Sequence, residues 1–113
     1  MPIKLVDLKR DQRTIEIPIG LGDDQEETLT LTYKPSEYSS KTEAELNTIL
    51  QGDVKSLMGT TFVQRLVLSW DLIGDDGEPY PITLDSLAEL PSTFIGDVVG
   101  GVAKDMGKAR RPN

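Results

Sequence analysis

The side chains most able to do chemistry are two clusters of carboxylates. Asp71, Asp75, Asp76 and Glu78 surround Gly77, and Asp23, Asp24, Glu26 and Glu27 follow Gly20-Leu21-Gly22. Carboxylates beside a glycine turn are the raw material of a calcium loop, which needs several oxygens at fixed spacing and a distant bidentate glutamate. The order Asp71-x-x-x-Asp75-Asp76-Gly77-Glu78 does not have that spacing. Paired carboxylates can also act as general acid and base, but nothing in either cluster singles out a pair, and both lie in polar, loop-like stretches. Gly20-Leu21-Gly22 begins like a phosphate-binding turn, yet a third glycine is missing and Asp23-Asp24 would repel a phosphate. The chain has neither His nor Cys. That removes imidazole bases, thiolate nucleophiles, disulfides and nearly every zinc site. The expectation is a non-enzymatic protein with no metal and no cofactor.

The elements around these clusters belong to one small domain. The 113 residues carry a net charge of −7, with 37% hydrophobic residues. A nucleic acid or an anionic membrane surface is a poor partner for such a chain, because affinity for either comes from clustered Lys and Arg. No apolar run approaches the ~18 residues of a membrane span. Residues 1–106 read as a single domain, with a β-hairpin part over 1–35, a helical part over 40–106, and a flexible basic tail over 107–113. The fold class is α+β: an antiparallel hairpin of two or three strands followed by about four helices.

Period-two alternation places Ile15, Ile17 and Ile19 on one face, with Thr14, Glu16 and Pro18 opposite. Leu29, Leu31 and Tyr33 repeat the pattern against Thr28, Thr30 and Thr32, so the two runs read as a half-buried antiparallel pair. Gly20 to Glu27 reads as a long charged loop between them. Pro18 suits an edge strand, and Ile3 to Leu8 offers a third strand. Thr42 and Glu45 have the spacing of a helix capping box. Leu46, Ile49 and Leu50 form the stripe of that helix, and Gly52-Asp53 breaks it. From Val54 the apolar stripe Leu57, Met58, Phe62, Leu66, Trp70, Ile73 predicts one helix of about five turns running to the acidic turn. Leu68 and Leu72 widen its end. Thr83 caps the next helix, which carries Leu84, Leu87, Ala88 and Leu90. The last helix, about 92–106, carries Phe94, Ile95, Val98, Val99, Val102, Ala103 and Met106.

Two features of this helical part point to interaction. Trp70, the only Trp, is either a plug at the end of a helix or a partial anchor at an interface, where Trp is enriched. The last helix contains Gly96, Gly100 and Gly101, each costing about 1 kcal/mol relative to alanine. Gly96 and Gly100 share a face that another backbone could approach. That helix is either locally loose or becomes ordered on a partner or a second copy. The expected partner-binding residues are Trp70, Phe94, Ile95, Val98, Val99, Val102 and Met106, and replacing Val98 and Val102 by Asp is expected to abolish binding and spare the fold.

Leu66-Val67-Leu68-Ser69-Trp70-Asp71-Leu72, the turn Asp75-Asp76-Gly77-Glu78-Pro79, and Pro81-Ile82-Thr83 leading into Leu87 and Leu90-Pro91 follow one another in an order that resembles the tail assembly chaperones of long-tailed bacteriophages. Leu31-Thr32-Tyr33-Lys34-Pro35 and Ile3-Lys4-Leu5-Val6-Asp7-Leu8 also fit. The resemblance implies a protein of the infected host cytoplasm that is absent from the mature virion. It implies binding to the tape measure protein, which it keeps soluble, and recruitment of the tail tube protein. A longer form made by ribosomal frameshifting is a further partner the resemblance implies, the basic tail at Lys108 to Arg111 being where its extension would continue. The competing expectation is a structural virion component, such as a head–tail connector or a tail tube-associated subunit.

Overall fold

The computed structural model describes residues 2–51 and 57–110. Three antiparallel strands in the order β1-β2-β3 form one layer, and helices cover one face of it. The class is α+β, as the patterning predicts. β1 (Arg13–Gly22) and β2 (Gln25–Tyr33) pair Ile15 with Leu31 and Ile17 with Leu29. The alternating Ile, Leu and Tyr side chains therefore share the covered face, where Ile17, Ile19, Leu29, Leu31 and Tyr33 are buried. On the outer face, Thr14 and Thr32 hydroxyls meet at 2.8 Å. Pro18 lies on edge strand β1, where its missing N–H breaks no ladder to a further strand.

The connection between these strands is much shorter than the charged loop expected from Gly20 to Glu27. The strands run on to Gly22 and from Gln25, joined by Asp23 and Asp24 alone, with φ of 49° and 62°. Two successive positive-φ residues make a turn whose twist suits a hairpin, and aspartate tolerates that conformation. A bulge between Gly20 and Gly22 absorbs the residual mismatch.

The third strand is not Ile3 to Leu8. That segment holds the short helix α1 (Leu5–Leu8), with no buried residue. β3 is Val67–Trp70, cut out of the five-turn helix expected to reach Ile73. Helix α3 (Leu57–Leu66) ends directly at the strand: Leu66 O accepts from Lys34 N at 3.0 Å, and Trp70 pairs with Leu31. Phe62, Val63, Leu66, Val67 and Trp70 are all buried in this arrangement. The strand also satisfies backbone groups of β2 that a helix would leave open. Val54 and the expected break at Gly52-Asp53 lie outside the described residues.

Pro35–Glu37 forms a 3-10 turn that ends the sheet strand, and α2 spans Ser40–Gln51. Its N-terminus is capped by Ser39, whose Oγ accepts from Thr42 N at 3.2 Å; Thr42 itself lies inside the first turn and donates to Glu37 O. The expected capping box on Thr42 and Glu45 is thus displaced by three residues. α4 (Leu84–Ala88) is capped by Thr83, which accepts from Ser86 N, as its sequence predicts. α5 (Ser92–Arg110) continues one turn past Met106.

α5 lies across the sheet and is fixed at two places. Trp70 and Phe94 rings meet edge-to-face at 5.8 Å. Toward the other end, Asp105 accepts from Arg13 Nε at 2.6 Å and from Tyr33 OH at 2.6 Å. Between them Gly101 sits against Ile17, so close that a Cβ would fall 2.7 Å from Ile17 Cδ1. Val98 and Val102 point into this interface and are fully buried.

Candidate partner-binding groove

The acidic turn is a structural corner. Trp70 Nε1 donates to Tyr80 O at 2.8 Å, and Tyr80 OH donates to Ser86 O at 2.6 Å, tying β3 through the turn to α4. Tyr80 N bonds Leu72 O and Gly74 N bonds Glu78 O, with Ile73 bridging to Pro79, so residues 72–80 form a miniature hairpin. Gly77 takes the positive φ of 80° that its tip requires. Asp71 is occupied elsewhere: its carboxylate accepts from Thr30 N at 2.9 Å and extends the β2 ladder. Asp76 accepts from Glu78 N. Asp75, Asp76 and Glu78 are exposed. Among the described residues, no group of three or more His, Cys, Asp or Glu side chains is placed to hold a metal ion.

A charge cluster joins α5 to the sheet. Arg13, Tyr33 and Asp105 meet there, and the Asp105 carboxylate receives both partners. Burial pushes the Tyr33 phenol well above its ordinary value, and its hydrogen bond to Asp105 pushes it further. The same carboxylate raises the Arg13 guanidinium. Both partners are thereby held in their protonated forms, which suits a structural staple and disfavours proton transfer.

An apolar concavity lies between α3, α4 and α5, with a volume of about 490 Å³. Its walls are Leu57 and Met58 of α3, Leu87 and Ala88 of α4, and Leu90 beyond it; Ile95 and Val99 of α5 complete them. Its depth follows from glycine. Gly59 lets α3 come so close to α5 that a Cβ there would lie 2.8 Å from Ile95 Cγ2. Gly96 and Gly100 lie along the same groove, and no atom outside their own helical backbone comes within 4 Å of a Cβ built on either. Smaller depressions lie elsewhere among the described residues. One, of about 250 Å³, lies between Leu21, Ile73 and Phe94, and one of about 210 Å³ lies between Pro18, Lys104 and Asp105.

These positions redistribute the expected binding residues. Trp70, Ile95, Val98 and Val102 are buried, Val98 and Val102 completely. Val98 and Val102 hold α5 to the sheet, so the expectation that Asp at both positions would spare the fold is corrected: each substitution would place an unpaired carboxylate in the core. Phe94, Val99 and Met106 are half-buried against that core. Of the seven, Ile95 and Val99 reach the groove, and Phe94 lines the smaller depression beside Ile73. The residues the sequence did not single out are those of the opposite wall, Leu57, Met58, Leu87, Ala88 and Leu90. Their apolar types were visible, but the wall they build requires three elements to converge. The spacing of Gly96 and Gly100 was the signal that led to this face.

Among the described residues, no helix is long and apolar enough to cross a membrane. Comparison of the chain with protein-family models, with curated proteins and with solved structures gives no match.

Proposed function

We propose that this protein is a non-enzymatic chaperone of phage tail assembly, which binds the tape measure protein in the host cytoplasm and helps recruit tail tube subunits around it. The observation that carries the reading is the open apolar groove between α3, α4 and α5, whose floor at Gly96 and Gly100 has no side chain. A long amphipathic helix needs such a groove to cover its apolar stripe, and glycines let its backbone come close. The net charge of −7 supports the solubilising part of the role, since it keeps a complex with an apolar client dispersed. The order of residues from Leu66 to Leu72 and from Asp75 to Pro81, which resembles the tail assembly chaperones, supports the identity of the client.

The test is co-expression with the tape measure protein that this reading expects to be encoded beside its gene. The client is expected in the soluble fraction with this chain and in the pellet without it. Gly96→Gln with Gly100→Gln, which fills the groove from a face with free space, is expected to return the client to the pellet. A client equally soluble without this chain would overturn the reading. Finding the protein at structural stoichiometry in purified particles would favour a virion component in its place.

A further inference from the structure

The segment before β1 is an apolar surface without a cover. Ile3 is 76% exposed, Leu5 66%, Val6 63% and Leu8 61%, and helix α1 buries none of its residues. Four large aliphatic side chains within six positions, all in water, are unusual where scattered single ones are not. The segment also carries a small excess of positive charge in an acidic protein. It carries Lys4, Lys9 and Arg10 against Asp7 and Asp11, and Arg10 pairs with Asp7. Lys4 and Lys9 are left as exposed cations.

The groove is its complement in both respects. It is apolar, and among the described residues the exposed charged groups that adjoin its lining in sequence are acidic. Asp85 is one turn from Ala88, Glu89 lies between Ala88 and Leu90, and Asp97 follows Gly96. The nearest cation on α5, Lys104, lines the separate depression beside Glu16 and Pro18.

We propose that the segment Ile3–Leu8 of one copy of this chain docks in the α3–α4–α5 groove of another. The chain does not readily satisfy its own groove. Residues 9–12 are the tether, and the five extended steps from Leu8 to Arg13 span at most about 18 Å. They leave from Arg13, on the flank of α5 where Gly101 meets Ile17 and Asp105 meets Arg13. Gly96 and Gly100 turn away from that flank toward the α3 side. Covering four aliphatic side chains removes on the order of 400–500 Å² from the segment and less from the groove, a total below that of stable specific interfaces. The contact is therefore a weak, concentration-dependent one. It joins two different surfaces, so each copy keeps one free groove and one free segment, and association continues past a pair into a ring or an open chain. This self-association goes beyond the client reading and is tested without any client.

Sedimentation of the purified full-length chain decides it. The average mass is expected to rise with concentration to about twice the monomer mass and beyond, as continued head-to-tail addition requires. Leu5→Asp with Leu8→Asp removes the apolar segment; Gly96→Gln with Gly100→Gln fills the groove. Each double variant alone is expected to stay monomeric, while an equimolar mixture, with one intact groove and one intact segment, forms a species that stops at the dimer. Circular dichroism and the thermal midpoint establish that both variants are folded; both act at exposed positions. A wild type that stays monomeric throughout, or a wild type whose association survives both pairs of substitutions, would overturn the proposal. So would a mixture of the two variants that remains monomeric.

Discussion

Two adjacent glycines of α5 should respond to the same substitution with opposite signs. Gly100→Ala adds a methyl where no atom outside its own helical backbone lies within 4 Å. It should stabilise by about 1 kcal/mol, the helix-propensity difference between glycine and alanine. Gly101→Ala gains the same propensity term but places its Cβ 2.7 Å from Ile17 Cδ1, 2.8 Å from Cγ1 and 3.2 Å from Cγ2. The terminal methyl could rotate aside. Cγ1 and Cγ2 are bonded to Cβ of a residue only 4% exposed, so the helix or the strand must move. Overpacking of this kind costs about 1–3 kcal/mol. The propensity gain is common to both variants, so their difference isolates the overpacking term. At about 4 °C per kcal/mol for a domain of this size, the two midpoints should differ by roughly 4–12 °C, with Gly100→Ala above wild type. Thermal and urea unfolding followed by circular dichroism read both values. Adding Ile17→Val to Gly101→Ala, which deletes Cδ1, should recover part of the loss although Ile17→Val alone destabilises. If both alanines stabilise equally, α5 does not approach β1 at Gly101, and the division of the helix into a packed face and an open face is wrong.

Val98→Asp should abolish the folded state outright, seen as loss of the cooperative thermal transition, because it buries a charge at a position with no exposure. Raising the pH should destabilise the wild type beginning near pH 10. The Tyr33 phenol has a raised pKa only in the folded chain, so its contribution is complete below the unfolded value of about 10 and is lost as the pH climbs toward the folded value. Tyr33→Phe should show a shallower decline in thermal midpoint over that range, and an identical pH slope in the two proteins would refute the assignment. Ser39→Ala should cost about 1 kcal/mol in urea unfolding, whereas Glu45→Gln, which leaves the observed cap untouched, should have no capping effect.

The parts of the fold legible in the sequence are those whose signal is local. The alternation through Ile15–Ile19 and Leu29–Tyr33 fixes which face is covered, because a period of two leaves no other register for the apolar set. Thr83 is legible as a cap because its partner, Ser86 N, is three residues away. The α3–β3 change is not legible in the same way. Phe62, Val63, Leu66, Val67 and Trp70 fit a helical stripe, and what turns Val67–Trp70 into a strand is the unpaired edge of β2, more than thirty residues upstream. Leu68, nearly half exposed, is the one residue that fits the helix badly. The Asp23-Asp24 turn was hidden by its charge, which reads as loop although positive φ was the relevant property. On α5 the apolar stripe is wider than the covered face. Only the position of the sheet separates Val98, which is core, from Val99, which reaches the groove.

That division of α5 bears on why its glycines are there. Gly101 has a reason inside the chain, since a side chain would collide with Ile17, and Gly59 has one in the approach of α3 to Ile95. Gly96 and Gly100 have none: the fold would accept a side chain at either. They cost the helix about 2 kcal/mol together relative to alanine, with no contact inside the molecule that needs them. A stability cost that no internal packing explains is what a surface shaped for something else looks like. Alanine at Gly100 therefore carries a second expectation beyond its higher midpoint. If the groove accepts a helix, the more stable variant should be the weaker binder, and stability and association should move in opposite directions at this one position. A variant that gains stability with its association unchanged would show that the open face of α5 at Gly100 has no occupant.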